Sequence, residues 1–234
     1  MVISVHQPQY IPWLGYFDKI VRSGAFVFLD DVQYKAREYQ NRNRIRTARG
    51  ELWLTVPVLS KGLGLRNISE VLVDNASDWP RQHLQSIKTS YGHAEYFDRY
   101  FPFFENLYSR RWERLIDINI EVIKHFLGEL GIATPLYYGS ALGVTSKKTD
   151  RIIEICGKLG GDTYLSGSGG KDYLEDGKFA ARGIKLLYQE FRHPVYRQQF
   201  MKDGGDFMPY LSIVDLVMNE GPRSAEILKG DSAR

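Results

Sequence analysis

Residues 2–21 read VISVHQPQYIPWLGYFDKIV, and this opening stretch decides the fold class. The run from Val2 to Val5 is typical of a short buried strand, and Pro8 and Pro12 exclude regular structure directly after it. An apolar face at helical spacing follows, made by Leu14, Phe17, Ile20 and Val21. We therefore predict a strand, a stiff turn and a helix, with His6 at the carboxyl end of the strand, where open α/β sheets usually bind ligands.

Strand-like and helix-like patterns alternate outward from this stretch. A second strand from Phe26 to Leu29 completes a βαβ unit. Further strands are predicted at residues 52–58, 71–73, 132–138, 163–165 and 184–191, and helices at 78–130, 149–159 (capped by Thr149) and 209–221. We predict one α/β domain over residues 1–234, with a mainly parallel Rossmann-like sheet and a helical insertion or subdomain at residues 75–130. The glycine-rich stretch 61–64 reads as a mobile turn.

Composition limits the classes of function. The chain has 234 residues, 43% of them hydrophobic, and a formal net charge of +3, so charge alone predicts neither a nucleic-acid nor a membrane partner. No stretch reaches membrane-spanning length and no signal-type segment opens the chain, so we expect a cytoplasmic protein without membrane insertion. The single Cys156 reads as a packing thiol, and the histidines lack zinc spacing, so we expect no metal site.

The first candidate cluster is the polar part of the opening stretch. A neutral imidazole at His6 can donate to a phosphate or act as a general base, and Lys19 is a second candidate catalytic group. Candidate substrate-binding residues beside them are Gln7, Tyr10 and Trp13. The alternative is a proline-stiffened connection with a packed Trp13 and a capping histidine.

A second candidate cluster follows the second predicted strand. Asp30 and Asp31 can hold a hydroxyl, an amine or a divalent ion, and one of them can act as a base. Gln33 is a candidate substrate-binding residue beside them. Turn chemistry and helix capping explain the two acids equally well, because aspartate is a favoured turn residue.

The third cluster is a basic segment at residues 35–49 whose core is Asn41, Arg42, Asn43 and Arg44. Guanidinium groups next to amides suit bidentate binding of phosphate or carboxylate. The alternatives are a solvated basic loop and a small nucleic-acid-binding patch, the latter weak on a chain so close to neutral.

The fourth cluster is a glycine-rich loop after a predicted strand, formed by Ser166, Gly167, Ser168, Gly169 and Gly170 and followed by Asp172. Glycines permit close backbone approach to an anion. The spacing fits neither a Walker P-loop nor a dinucleotide fingerprint, and a plain glycine-rich connection is the alternative. His193, after the last predicted strand, can reach the same edge of the sheet.

Taken together, the motifs resemble those of the WbqC-like family of bacterial proteins over nearly the whole chain. The resemblance rests on His6-Gln7-Pro8, Pro12-Trp13, Gly15 to Lys19, Asp30 to Tyr34, Asn41-Arg42-Asn43, Leu54 to Pro57, Tyr164 to Gly167 and Ser212 to Asp215. It implies a role in bacterial surface-glycan and O-antigen (lipopolysaccharide) biosynthesis, on a nucleotide sugar or related small molecule, and states no reaction.

Two more distant resemblances concern phosphate. The order strand, His-containing turn, helix, strand is similar to the start of the nucleotidyltransferase-like fold, although no second histidine follows His6. Residues 168–172 resemble the pyrophosphate-binding loop of ATP pyrophosphatases, with Tyr173 in place of that motif's final serine. Fold-level likeness does not define a reaction, so both only point to phosphate chemistry.

We therefore predict an enzyme: a transferase that moves an acyl, aminoacyl or related group and acts on a phosphate-bearing or nucleotide-activated small molecule. An ATP-dependent ligase or nucleotidyltransferase, which would use ATP and Mg²⁺, is the second hypothesis; otherwise no cofactor is expected. The third is a non-enzymatic protein that binds a polyanion or nucleic acid through the basic segment. The expected partner is the small-molecule substrate, and self-association is left open.

Overall fold

A computed structural model describes residues 1–59, 66–202 and 205–230, so the predicted turn at 61–64 lies outside the described residues. Its strands are β1 (Val2–His6), β2 (Ala25–Phe28), β3 (Arg42–Thr47), β4 (Gly50–Thr55), β5 (Leu136–Tyr138), β6 (Thr163–Ser166) and β7 (Lys185–Tyr188). Its helices are α1 (Leu14–Val21), α2 (Trp79–Tyr91), α3 (Phe97–Ser109), α4 (Leu115–Glu129), α5 (Lys148–Lys158), α6 (Asp176–Ala180), α7 (Ile213–Glu220) and α8 (Ser224–Gly230).

Five strands form one parallel sheet in the spatial order β5-β2-β1-β6-β7. The predicted α/β class with a mainly parallel Rossmann-like sheet is confirmed. The chain winds outward from β1 through β2 to β5, then crosses back to β6 on the other side of β1. The order of the strands therefore reverses between β1 and β6, and this switch point is where doubly wound sheets form a ligand crevice.

Helices cover both faces of the sheet, as burial of a parallel sheet requires. Successive side chains of β2 point to the two faces of the sheet and so belong to two different cores. Phe26 and Phe28 belong to the larger core with α1 and α4, whereas Val27 packs in the smaller core on the opposite face. Cys156 of α5 is buried in that second core, as predicted. In the described residues, no helix is long and apolar enough to cross a membrane.

Several local predictions are wrong. The core of the basic segment, for which a solvated loop was one alternative, forms a strand: β3 pairs with β4 in an antiparallel hairpin, residues 42–55, which we call the hairpin. The strand predicted at 52–58 therefore begins at Gly50, and residues 71–73 form isolated bridges only. Thr149 is not a helix cap, because α5 begins at Lys148 and the Thr149 hydroxyl accepts from the backbone N–H of Glu175 at 3.3 Å.

Other boundaries shift at both ends of the chain. The strand predicted at 132–138 begins only at Leu136, and the one predicted at 184–191 ends at Tyr188. The closing helix predicted at 209–221 is α7, capped by Ser212, whose hydroxyl accepts from the Val214 N–H at 3.2 Å. The short helix α8 after it was not predicted.

The C-terminal part of the chain returns to the opening stretch. Trp13 and Ser212 form an antiparallel bridge, and the Ile213 N–H donates to the Pro12 carbonyl at 2.8 Å. The Ser212 N–H donates to the Arg44 carbonyl at 2.9 Å, so the same segment also contacts the hairpin. Residues 189–202 and 205–212, which we call the C-terminal strap, thus connect the end of β7 with the opening turn and α7.

Candidate functional site

Two adjoining cavities open at the carboxyl ends of β1 and β6, where the strand order reverses. The larger, of about 480 Å³, includes Tyr173 in its lining, and we call it the Tyr173 cavity. The smaller, of about 400 Å³, includes Trp13, and we call it the Trp13 cavity. Both are lined by His6, Lys19, Gly167 and Gly169. The larger cavities of this fold class usually bind ligands at this place in the sheet.

His6 ends β1 and lies between the two cavities. Its Nδ1 is 3.0 Å from the Gln7 carbonyl oxygen, which can only accept, so Nδ1 carries the hydrogen and Nε2 the lone pair. Burial and the nearby Lys19 charge lower the pKa of His6 to about 3, against a smaller opposing effect of the Gln7 carbonyl. The imidazole is therefore neutral at pH 7 and a weak base, suited to hydrogen bonding more than to carrying a positive charge.

Lys19 lies on α1 with its side chain directed to the same place. It is only 3% exposed, and its Nζ donates to the Val5 carbonyl at 3.0 Å. Burial lowers the pKa of Lys19 to about 7, and among the described residues no carboxylate forms an ion pair with it. Near neutral pH this amine is therefore close to half protonated, and it can bind an anion in one form and accept a proton in the other.

The glycine-rich loop lies against Lys19. A Cβ on Gly167 would be 3.8 Å from Lys19 Nζ, so the loop backbone closely approaches the amine. A Cβ on Gly170 would be 2.0 Å from Ser166 Oγ, so the Ser166 side chain would have to move, whereas one on Gly169 would meet nothing within 4 Å. Ser168 lines the Trp13 cavity, and Asp172 lines neither. The loop thus offers bare backbone beside a buried cation.

Aromatic rings form the far side of the Trp13 cavity. The Trp13 ring covers Gly15, where a Cβ would be 2.2 Å from the indole. Phe191 of the C-terminal strap meets Trp13 edge-on at 5.3 Å between ring centroids. His193 packs against Phe191 at 5.7 Å, with Nδ1 donating to the Pro194 carbonyl, and it lines neither cavity. His193 was predicted to reach this edge of the sheet, and it does so only through Phe191, which itself lines the Trp13 cavity.

The two acids after β2 are placed elsewhere. Asp30 accepts from the Ser140 N–H at 2.9 Å and from the Ser140 hydroxyl. Asp31 forms an ion pair with Arg151 of α5. Neither lines the two cavities, and Gln33 forms a backbone bridge with Asn67. The structure therefore supports the turn-and-cap interpretation of this pair and does not bring it to His6.

Most amide and hydroxyl candidates are engaged in the fold. Tyr10 is fully buried and shares its hydroxyl with His83 and Tyr108. Asn41 donates to the Val56 carbonyl and Asn43 to the Ile11 carbonyl, each at 2.9 Å. These contacts fix the turn after β1 to the hairpin, and they leave no described role in either cavity for the three side chains.

Gln7 behaves differently from those three. It lines the Tyr173 cavity, where its Oε1 accepts from Gln40 Nε2 at 2.8 Å. The amide end of Gln7 therefore lies between the cavity and the hairpin.

The arginines of the basic segment do not line the two cavities. Arg42 stacks on Trp53, 4.4 Å from the ring centroid, and donates to the Arg37 carbonyl. Arg44 pairs with Glu51 at 2.5 Å, within the hairpin. Arg46, 3% exposed, pairs with Asp206 at 2.8 Å. Arg42, Arg44 and Arg46 alternate with Asn43 and Ile45 along β3 and therefore share one face of the strand, where neighbouring groups engage all three guanidinium groups.

Four residues line the cavities without being named as site candidates in the sequence. Lys35 and Tyr173 line the Tyr173 cavity, and Lys171 and Glu190 line the Trp13 cavity. Lys35 opens the basic segment, and Lys171 and Tyr173 adjoin or belong to the glycine-rich loop, so a local signal was present for these three. Glu190 has no such signal, because only the strap after β7 brings it to the crevice.

The fold and site define an open α/β protein with a two-cavity crevice at its switch point. The profile of the WbqC-like protein family matches residues 7–227, and the chain belongs to that family. It is also similar to a protein of Mycobacterium tuberculosis (strain ATCC 25618 / H37Rv) described as uncharacterized protein Rv1507c, with 32% identity over 228 residues and 97% of both chains covered. No solved structure matches.

Proposed function

We propose that this protein is a transferase that moves an acyl, aminoacyl or related group and acts on a phosphate-bearing or nucleotide-activated small molecule in bacterial surface-glycan biosynthesis. Membership of the WbqC-like family suggests a role related to glycan biosynthesis. One observation carries the rest: His6 and Lys19 line both cavities at once, beside the bare backbone of Gly167 and Gly169. A transferase needs two substrate positions with its reacting groups between them.

The Tyr173 cavity suits the phosphate-bearing substrate. Lys35 adds a second cation to Lys19 there, and the glycine-rich backbone allows an anion to approach closely. Fixed donors of this kind also stabilise the charge that develops on a leaving phosphate, usually the largest contribution to catalysis.

The Trp13 cavity suits the second substrate. Trp13 and Phe191 present apolar ring surface, while Gln189 and Glu190 bring polar atoms to the same cavity. That combination fits an amphipathic ring such as a sugar. A hydroxyl or amine of this substrate can donate to His6 Nε2, and neutral Lys19 can accept its proton as the new bond forms.

The alternative reaction, an ATP-dependent ligase or nucleotidyltransferase, would use the same crevice. Its distinguishing demand is a divalent cation with the nucleotide. The polyanion-binding hypothesis has less support, because the charges of Arg44 and Arg46 are paired with Glu51 and Asp206.

Isothermal titration calorimetry with four probes tests the proposal: pyrophosphate, a UDP-sugar, ATP with Mg²⁺, and a short single-stranded DNA. We expect pyrophosphate and the UDP-sugar to bind wild type and Arg44→Met alike, and to bind Lys19→Met at least about tenfold more weakly, the loss of one charge-assisted contact. A response to ATP that requires Mg²⁺ would favour the ligase instead. Equal affinity of wild type and Lys19→Met for every phosphate probe would overturn the assignment.

A further inference from the structure

We propose that Lys19 Nζ is a covalent nucleophile that condenses with the carbonyl group of a phosphate-bearing aldehyde or ketone. This inference rests on the proposed function and narrows its substrate class, because the group transferred would then derive from a carbonyl compound. Lys19 belongs to the lining of both cavities, so a molecule bound in either lies against its side chain.

The surroundings of the amine fit a nucleophile better than a structural cation. A buried structural cation is normally paired with an acid. Lys19, at 3% exposure, donates only to the Val5 carbonyl among the contacts of the described residues. Because Nζ is the donor in this hydrogen bond, the lone pair of the neutral amine stays available for attack on a carbon atom. Burial also lowers the pKa of Lys19 to about 7, which makes the nucleophilic form abundant near neutral pH.

Charged and titratable groups around the amine are few. His6 on β1 lies beside it and is neutral, while Lys35 and Lys171 enter from the two cavity walls. Glu190 lines the Trp13 cavity and does not form an ion pair with Lys19. Burial is what lowers the pKa of Lys19, and the two further cations attract an anionic substrate.

An aldehyde or ketone suits this amine better than an acyl donor does. Attack of Nζ on an acyl carbon would form an amide, which is too stable to pass the group on. Attack on an aldehyde or ketone forms a C–N bond while the carbonyl oxygen gains a proton, giving a carbinolamine. Loss of that oxygen as water, with loss of the nitrogen proton, gives an imine, and hydrolysis reverses each step. The neutral imidazole of His6 can accept a hydrogen bond from the carbinolamine at Nε2, while water in the open cavities carries the protons.

The phosphate requirement follows from the loop. Gly167 lies so near that its missing Cβ would be 3.8 Å from Nζ, and Gly169 lines both cavities. A phosphate held by this backbone would place an attached carbonyl within reach of the amine. A carbonyl compound without phosphate lacks that anchor and would lose the part of its preference for Lys19 that binding supplies.

Reductive trapping tests the inference. The full chain is incubated with pyridoxal 5′-phosphate at pH 7.5, reduced with sodium borohydride, and mapped by peptide mass spectrometry. We expect Lys19 to be labelled at least about tenfold faster than Lys171, an exposed lysine that lines only the Trp13 cavity. Pyridoxal, which lacks the phosphate, should lose that preference, and excess pyrophosphate should suppress labelling of Lys19 more than of Lys171.

The outcomes separate the two proposals. Labelling of Lys171 without Lys19, or labelling of Lys19 that pyrophosphate and loss of the phosphate leave unchanged, overturns the imine inference. If pyrophosphate still binds in the calorimeter, the proposed function stands without it. If pyrophosphate does not bind at all, the proposed function fails, whatever the labelling shows. Lys88→Met is the matched variant, because Lys88 is exposed on α2 and lines neither cavity: it should retain the Lys19 adduct, whereas Lys19→Met should remove that adduct alone.

Discussion

Lys19 and Arg46 are two buried cations with the same exposure, 3%, and opposite surroundings. Arg46 donates to Gln198 Oε1 at 2.8 Å, to the Asp206 carbonyl at 2.7 Å and to the Asp206 carboxylate at 2.8 Å. Lys19 donates to one backbone carbonyl. Burial alone therefore does not mark a functional residue; a buried charge becomes informative when the fold leaves it without an opposite charge.

The regions around the two cations differ in the same way. Around Arg46, the hairpin and the C-terminal strap form a closed polar network that extends through Gln198 to Asp215, which also accepts from the hydroxyls of Tyr91 and Tyr196. Around Lys19, polar groups line open cavities. The first arrangement stabilises the fold, whereas the second has a destabilising charge that a ligand can neutralise.

The largest expected effect is a gain of stability in Lys19→Met. The pKa of Lys19 falls from 10.5 in the unfolded chain to about 7, so the unfolded state binds more protons between these values. Wild-type stability must rise with pH through this window, and at pH 7 the variant should be more stable by about 4 kcal/mol. Urea unfolding at pH 7 and 9.5 checks this, with the difference shrinking at the higher pH. A destabilised variant would place Lys19 with Arg46 as a structural cation.

The reverse is expected for Arg46→Met, which should lose about 3 kcal/mol because it breaks a buried, hydrogen-bonded charge network. Arg44→Met is the matched control: its ion pair with Glu51 is largely solvated and should contribute less than about 1 kcal/mol. Both values come from urea unfolding at pH 7. If the two variants lose equal stability, the network around Arg46 is not what holds the strap to the hairpin.

A smaller, pH-dependent effect is expected for Asp215→Asn. Burial raises the pKa of Asp215 from 3.8 to about 6, although its hydrogen bonds and Arg46 oppose the shift. Because the folded state binds the proton more tightly, the contribution is complete below pH 4 and is lost as pH rises through 6. The stability of wild type relative to the variant should therefore fall by about 2 kcal/mol between pH 4 and 7. Thermal unfolding across this range measures it, and a constant difference would contradict the assignment.

The smallest effect is expected for Gly170→Ala, at about 1 to 2 kcal/mol, because its Cβ would overlap Ser166 Oγ. Gly169→Ala, which meets nothing within 4 Å, should be near neutral in stability. Adding Ser166→Ala to the first variant should recover part of the loss, since it removes the nearest atom. Urea unfolding of the three proteins decides this; a neutral Gly170→Ala would show that the loop does not need its present path.

The opening stretch and the glycine-rich loop could be predicted from sequence because their signals are local. An apolar run, two prolines and a helical repeat place His6 at the end of a strand, and glycine marks close backbone approach wherever it occurs. The family resemblance drew on the same stretches, and it is confirmed. Lys19 was included for its place in this motif, and its position between two cavities follows from the helix that begins at Leu14.

The remaining candidates failed to gather at the crevice for a physical reason. Asp30 and Arg46 have the residue types of a binding site, but their chemistry is satisfied by partners far away in sequence, Ser140 and Asp206. A sequence shows which side chains could bind a ligand, but it does not show which of them are already paired with other residues of the fold. The same distance explains why Glu190 could not be found, since the strap alone brings it to the Trp13 cavity.

The bridge between Trp13 and Ser212 has a consequence for how the protein is made. Trp13 leaves the ribosome long before its bridge partner Ser212 is synthesised. The crevice wall that contains Trp13 therefore cannot be completed until Ser212 has emerged, even though the first βαβ unit can already pair. In this interval the apolar residues that share the larger core with Leu216 and Val217 stay exposed on the nascent chain, and such surface favours aggregation.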